Sequence, residues 1–220
     1  LSVSLKHRLL LQAGRASRDM IRGEPNQRLM ALRTADGSVV WDREVQHGGP
    51  LMLHGDRIIL PAITTTGAGI SILDGTPLQR QHPLTRRSVP WTYHRRYGCN
   101  SVIATEHMLT FRSGAAGFYD LAGDSGTGNF GGFKSGCTPS LVAADGVLNA
   151  PDYTRTCTCS YQNQTSLALV HDPGLDFWTA NEIGRGDDRI LDLAVNLGAP
   201  GDRRRSEEHT SELQSPNTIS

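Results

Sequence analysis

A short hairpin pattern recurs along the 220-residue chain and constrains its fold more than any other feature. The copies align on an acidic residue and read LMLHGDRII (51–59, Asp56), VIATEHML (102–109, Glu106) and LVAADGVL (141–148, Asp145). In each copy, two apolar residues lie two and three positions after the acid. Gly and Asp at such corners favour tight turns between antiparallel strands. Short strands repeating at intervals of roughly 40 to 50 residues predict the blades of a β-propeller.

Further short apolar segments supply the other strands of each blade. VSLKHRLLL (Val3–Leu11) alternates apolar residues on one face and is predicted as a single outer strand. A content of 24 Gly and 11 Pro, with 37% hydrophobic residues, is typical of a turn-rich all-β protein. The predicted fold class is therefore all-β, a partial β-propeller of about three to four four-stranded antiparallel blades spanning residues 1–185.

Charge and hydropathy limit the partners of the chain. The 22 basic and 22 acidic residues cancel, so no overall field attracts nucleic acid. No apolar run approaches the roughly 18 residues of a membrane-spanning helix. We predict neither a nucleic-acid partner nor a membrane span.

Both ends of the chain carry specific expectations. It starts at Leu1 without a positive-then-apolar leader, and the rest of the propeller is expected in a missing N-terminal region. Residues 186–204, which include RILDLAVNLGAPGDRR, are predicted to be a linker or the start of a truncated C-terminal β domain. RSEEHTSELQS (205–215) resembles the conceptual translation of a sequencing-adapter oligonucleotide, so residues 205–220 are predicted to be a non-native tail.

ALRTADGSVVW (31–41) resembles the repeat of quinoprotein-type, PQQ-binding-like β-propellers, which reads Ala-x-Asp-x-x-Thr-Gly-x-x-x-Trp. Ala31, Gly37 and Trp41 match the repeat, whereas Arg33 replaces its Asp and Asp36 replaces its Thr. The resemblance implies that Gly37 turns the chain between two outer strands. It also implies that Trp41 packs between adjacent blades, where a large apolar plate fills the widening gap. Extending over about residues 1–204, it implies a bacterial protein of the periplasm or the extracellular space.

Four cysteines are candidates for disulfides: Cys99, Cys137, Cys157 and Cys159. An even number of cysteines in a secreted protein favours disulfides, and three pairings stay open. Free buried thiols are one alternative, and metal binding by Cys-x-Cys with a remote cysteine is another. Because no second pair with zinc spacing is present, no metal site is predicted.

Two polar segments are candidate binding regions. NAPDYTRTCTCSYQNQ (149–164) follows an inner strand, and loops leaving inner strands ring the ligand channel of a propeller. The candidate ligand-binding residues are Arg112, Asp152, Tyr153 and Arg155. Alternatively, Asp152 and Arg155 only hold their own loop together. RRSVPWTYHRRYG (86–98) is predicted as a loop whose arginines and aromatics either stack on a polyanion or sugar or cover a blade edge.

No nucleophile, base and metal set converges in the sequence, so the catalytic residues are unknown. The predicted function is a non-catalytic binding or scaffold module of the cell envelope that presents loops to a protein, glycan or small molecule. The alternatives are a polysaccharide-active enzyme and a quinone-dependent dehydrogenase. For the dehydrogenase, the resemblance implies PQQ, a calcium ion held by carboxylate and amide oxygens, and an Asp base, mostly in the missing part.

Overall fold

A computed structural model describes most of the chain, namely residues 1–15, 27–62, 65–82, 85–96, 98–130, 133, 140–151, 166–172, 179–180 and 189. Every regular element within these ranges is a β-strand. They contain no helix with the length and hydropathy that crossing a membrane requires. The predicted C-terminal segments 186–204 and 205–220 lie outside the described residues, apart from Arg189.

The chain divides into two compact units, residues 1–80 with 90–92 and residues 81–89 with 93–220. The first sheet of unit 1 is an antiparallel meander of β1 (Ser2–Ser4), β2 (Leu9–Arg15), β3 (Gln27–Arg33) and β4 (Val39–Glu44). The second sheet begins with β5 (Met52–His54), β6 (Arg57–Leu60) and β7 (Thr66–Ser71). Next come a two-stranded sheet of β8 (Gln79–Gln81) and β9 (Ser88–Pro90), and then β10 (Thr92–His94), which is the fourth strand of the second sheet.

Unit 2 contains two further antiparallel sheets. One is formed by β11 (Ile103–Ala104), β12 (Met108–Ser113), β13 (Ala115–Asp120) and β14 (Gly126–Asn129). The other is formed by β15 (Val142–Ala144), β16 (Val147–Ala150) and β17 (Leu167–Val170). A short strand, β18 (Thr179–Ala180), pairs with β14. Successive antiparallel meanders of about four strands are propeller blades, so the predicted fold class, an all-β partial β-propeller, is confirmed.

Each predicted hairpin forms the first two strands of one sheet in chain order. Leu51, Val102 and Leu141 directly precede the edge strands β5, β11 and β15. In the first and third copies the corner residues adopt positive φ, 59° at Gly55 and 76° at Gly146, as tight turns require. The three copies therefore occupy equivalent positions in their sheets.

The prediction that Val3–Leu11 is one strand is wrong, because these residues form a fourth hairpin. Ser2 pairs with Leu11 and Ser4 with Leu9, and the turn between them includes Arg8 at a φ of 53°. Leu5 in this turn is 87% exposed, whereas Leu9 and Leu11 are buried. Val3 pairs with Leu10, so it lies on the opposite face of the sheet from Leu9 and Leu11 and is 51% exposed. The alternation along the sequence therefore does not mark one shared face.

The two sheets of unit 1 share one apolar core. Its buried members are Leu9, Leu11, Leu29, Ala31, Trp41, Ile58, Leu60, Ile70 and Ile72. Trp41 on β4 is 5% exposed and donates a hydrogen bond from Nε1 to the carbonyl oxygen of Ile72, 2.9 Å away. Ala31 lies opposite Trp41 in the β3–β4 register and is fully buried. The Trp41 indole thus joins the first sheet to the second.

Two Asp-Gly turns of unit 1 have the same construction. The Asp36 carboxylate accepts hydrogen bonds from the backbone and side chain of Ser38, at 2.9 and 2.7 Å. The Asp74 carboxylate accepts the corresponding bonds from Thr76, at 3.1 and 2.8 Å. In both turns the backbone hydrogen bond is the main cause of a lowered Asp pKa. The glycines that follow, Gly37 and Gly75, have φ of 74° and 71°.

Gly75 and Gly37 provide a matched test of Trp41 packing. A Cβ at Gly75 would lie 2.9 Å from Cε3 of the Trp41 ring, whereas a Cβ at Gly37 would have no heavy atom within 4 Å. Both alanine variants incur the left-handed backbone cost of about 1–2 kcal/mol. We expect Gly75→Ala to lose a further ~1–3 kcal/mol through overpacking. Equal losses for the two variants in urea unfolding would contradict this role of Trp41.

The sheets of unit 2 also share a core. Buried Ala116, Leu141, Leu148 and Ala150 pack with partly buried neighbours that include Phe130, Leu167 and Leu169. Thr110 on β12 is fully buried and donates a hydrogen bond from Oγ1 to the carbonyl oxygen of Leu141, 2.7 Å away. This bond joins the first sheet of unit 2 to the residue that precedes β15.

Asp120 holds the turn between β13 and β14. Its carboxylate accepts hydrogen bonds from the backbone of Ala122 and Gly123, both at 3.0 Å, and from the Ser125 hydroxyl at 2.5 Å. Burial alone would raise the pKa of Asp120, but hydrogen bonds donated by Gly123, Ser125 and Ala122 outweigh it and lower the pKa.

The stability of unit 2 is expected to depend on the charge of Asp120. Because the folded pKa lies below the unfolded value, the contribution is present above about pH 4 and is lost as the pH falls through the folded pKa. Asp120→Asn should lower the free energy of unfolding by about 1–2 kcal/mol at pH 7 and by much less near pH 3. A difference independent of pH in urea titrations would contradict this account.

Candidate functional site

Two arginines of unit 2 are buried, although arginine is mostly a surface residue. Arg112 lies on β12 with 1% of its surface exposed, and Arg95 directly follows β10 with 8% exposed. Arg112 is one of the predicted ligand-binding residues. The structure places it in the interior beside Arg95, a residue of the basic and aromatic segment 86–98.

Neutral oxygens hold the Arg95 guanidinium. Nε donates to the carbonyl oxygen of Arg112 at 3.0 Å. Nη2 donates to the Asn100 carbonyl oxygen at 2.5 Å and reaches its Oδ1 at 3.2 Å. Burial lowers the pKa of Arg95, and it outweighs the smaller opposing effects of Tyr93 and Cys99; the charge of Arg112 lowers the pKa by the smallest amount. Arginine nevertheless stays protonated in proteins, so the interior of unit 2 holds a fixed positive charge here.

Asn100 connects the two arginines. It is 3% exposed, and its Oδ1 accepts a hydrogen bond from the Arg112 backbone N–H at 2.8 Å as well as one from Arg95. Its Nδ2 is buried and has no hydrogen-bond partner among the described residues. We call Arg95, Asn100 and Arg112 the arginine node.

Gly98 allows the connecting loop to approach β12. A Cβ at this position would lie 2.1 Å from the carbonyl oxygen of Arg112, which is a backbone atom that cannot swing aside. Glycine is therefore required by close approach of two backbone segments. The backbone N–H of Arg96 also donates to Ser113 Oγ at 2.8 Å, which holds the start of the loop against the end of β12.

Aromatic side chains close in sequence to the node pack against one another. Tyr93 is fully buried, and its ring centroid lies 6.0 Å from that of Phe111 and 5.9 Å from that of Tyr119. Tyr119 donates a short hydrogen bond to the Asp124 carboxylate. Tilted aromatic pairs at these distances are favourable, so they help to hold Tyr93 and Phe111 in place next to the node.

The prediction that residues 86–98 form a loop is wrong, because the segment contains β9 and β10. Trp91, Tyr93 and Arg95 are buried in alternation with more exposed neighbours, which is the period of a strand. Counting arginine and histidine as surface residues hides this alternation. An arginine from outside the segment lies over Trp91: the Arg57 guanidinium carbon is 5.9 Å from the Trp91 ring centroid, and both residues belong to unit 1.

The node has the chemistry of a binding site. A guanidinium and a carboxamide donate and accept hydrogen bonds, but neither takes up or releases a proton near neutral pH. Arginine's planar fork suits carboxylate and phosphate groups in particular. Within the described ranges, no three His, Cys, Asp or Glu side chains converge as metal ligands do.

The other predicted site residues are only partly placed. Asp152, Tyr153 and Arg155 lie outside the described residues, so their grouping with Arg112 stays a prediction. Cys137, Cys157 and Cys159 also lie outside them. Cys99 is an exposed free thiol next to the node, and its disulfide stays a prediction.

Sequence reasoning missed Arg95 and Asn100 as site residues. One signal was present, since Gly98-Cys99-Asn100 before the second hairpin is echoed by Gly136-Cys137-Thr138 before the third. The structure explains the first of these, because Gly98 permits the close approach and Asn100 bridges the arginines.

Comparison with known proteins gives similarities to solved structures alone. No protein-family model and no curated protein matches the chain. Among solved structures, it is similar to the crystal structure of BamB from Moraxella catarrhalis, with 15% sequence identity and a TM-score of 0.41. The match covers 67% of this chain and 44% of that chain, so the chain spans less than half the length of BamB.

Removal of the Asn100 bridge is expected to destabilise unit 2. Asn100→Leu has a similar volume but no acceptor for the Arg112 N–H and Arg95, and each buried donor left unpaired costs about 1–3 kcal/mol. We expect a loss of ~2–4 kcal/mol in denaturant unfolding. Asn149→Leu, at an exposed position of β16, is the control and should change stability by under about 0.5 kcal/mol. Similar losses for both variants would show that Asn100 is not a bridge.

Proposed function

We propose that the chain is a non-catalytic binding or scaffold module of the cell envelope, built on blades of the PQQ-like propeller type. The observation that carries this proposal is the arginine node of unit 2. Its buried polar groups are a guanidinium held on carbonyl and amide oxygens, a second arginine and a carboxamide. Such groups bind and orient a partner but do not act as nucleophile or base.

The quinoprotein-type repeat supports the propeller family within this proposal. Gly37 forms the turn between the outer strands β3 and β4 at positive φ, and Trp41 packs against the neighbouring sheet. A periplasmic or extracellular location belongs to the same proposal and rests on the resemblance and the cysteines. The partner is proposed to be a protein, a glycan or a small molecule.

The described residues do not fit the quinone and calcium that the resemblance implies. A calcium ion requires several carboxylate and carbonyl oxygens around one point. The buried polar site of unit 2 instead carries two guanidinium groups, which repel a divalent cation. Within the described ranges no cluster of three acidic, His or Cys side chains is available either.

Quinone-dependent turnover provides the test. The full chain, equilibrated with calcium and pyrroloquinoline quinone, is expected to show no dye-linked alcohol oxidation above a sample without the quinone. A quinone-dependent rate would overturn the proposal in favour of the dehydrogenase. Fractionation of bacteria that produce the protein with its native upstream region tests the location, and recovery only from the cytoplasm would contradict it.

A further inference from the structure

The charge of Arg95 has no counter-charge among the described residues. All its hydrogen-bond acceptors there are neutral, two backbone carbonyl oxygens and the Asn100 Oδ1. A buried charge without an opposite charge is unfavourable, even when its hydrogen bonds are made. The node therefore favours a negative group.

Asn100 supplies a further donor at the same place. Its Oδ1 is committed to Arg95 and to the Arg112 backbone, which fixes the orientation of the amide. The remaining Nδ2 is buried without a partner in the described structure. An unpaired buried amide donor is unfavourable unless a ligand or water accepts its hydrogen bond. An amide donor beside a guanidinium is the combination that an oxyanion accepts from.

We propose that Arg95 and Asn100 form a binding site for an oxyanion, a carboxylate or phosphate carried by a ligand. The site rests on the proposed binding function and adds the chemical class of the ligand. The residues on either side of Asn100, Cys99 and Ser101, are exposed. The aromatic packing of Tyr93 and the close approach at Gly98 hold the donors in place before the ligand arrives.

Thermal unfolding of the full chain in different salts tests the site directly. Sodium chloride, sodium phosphate and sodium acetate are compared at equal ionic strength and pH 7. A ligand that binds only the folded state raises the melting temperature, and a rise of about 2–4 °C over chloride is expected. Phosphate also stabilises folded proteins by exclusion from their surface. A rise in phosphate alone that Asn100→Asp abolishes assigns a phosphate ligand, and such a rise in acetate alone assigns a carboxylate. The same melting temperature in all three salts overturns the proposal, whatever the outcome of the quinone assay.

The variant Asn100→Asp tests whether the effect of the salts on the melting temperature depends on the arginine node. The variant keeps the Oδ1 acceptor and replaces the Nδ2 donor by a negative oxygen, so it supplies the counter-charge from within the chain. We expect a higher melting temperature in chloride and no further rise in phosphate or acetate. Asn149→Asp, which adds the same charge at an exposed position of β16, should keep the native salt response. An Asn100→Asp protein that still responds like the native chain overturns the proposal.

A second variant covers the case in which Asn100→Asp does not fold. Arg95→Lys keeps the positive charge but replaces the planar guanidinium by an ammonium group, which lacks its fixed arrangement of N–H donors. The rise of melting temperature in the effective salt should fall to less than half. An undiminished rise would show that the anion binds elsewhere and would overturn the proposal.

Discussion

Both units depend on the same kind of contact. In it, a side chain on one sheet donates a hydrogen bond to the backbone carbonyl of a residue that directly adjoins a strand of the next sheet. In unit 1 the donor is Trp41 Nε1 and the acceptor is the carbonyl of Ile72. In unit 2 the donor is Thr110 Oγ1 and the acceptor is the carbonyl of Leu141. Apolar burial supplies the driving force in both cores but has no direction. The hydrogen bond supplies the direction, because the buried carbonyl is satisfied in only one placement of the sheets.

The arginine node depends on the same anchoring in unit 2. Thr110 and Arg112 belong to one strand, β12, which also carries the Phe111 ring that packs on Tyr93. With β12 fixed on two sides, the Arg112 carbonyl offers a stationary acceptor for Arg95 and a stationary surface for Gly98. Donors held in place before binding lose little conformational entropy when a ligand arrives.

The sequence predicted those features whose causes are local. An Asp-Gly corner with apolar neighbours encodes a hairpin within about ten residues, so the copies at Asp56, Glu106 and Asp145 were recognisable from the pattern alone. The hairpin at Val3–Leu11 was missed because its turn lacks Gly and because apolar residues alternate along the sequence through the turn, although Val3 and Leu11 do not share a face. The strands within residues 86–98 were missed because their buried positions include an arginine.

The node was beyond sequence reasoning for a different reason. Arg95 and Arg112 are separated by 17 residues and a reversal of the chain, so only the fold brings them together. Burial of arginine also contradicts the composition rule by which sequences are interpreted. The Arg95 side chain combines two roles, since its donors hold the loop to β12 while its charge stays uncompensated by the described residues. Three neutral acceptors satisfy its hydrogen bonds, but only a negative group offsets its charge, so structural support and ligand recognition depend on the same side chain.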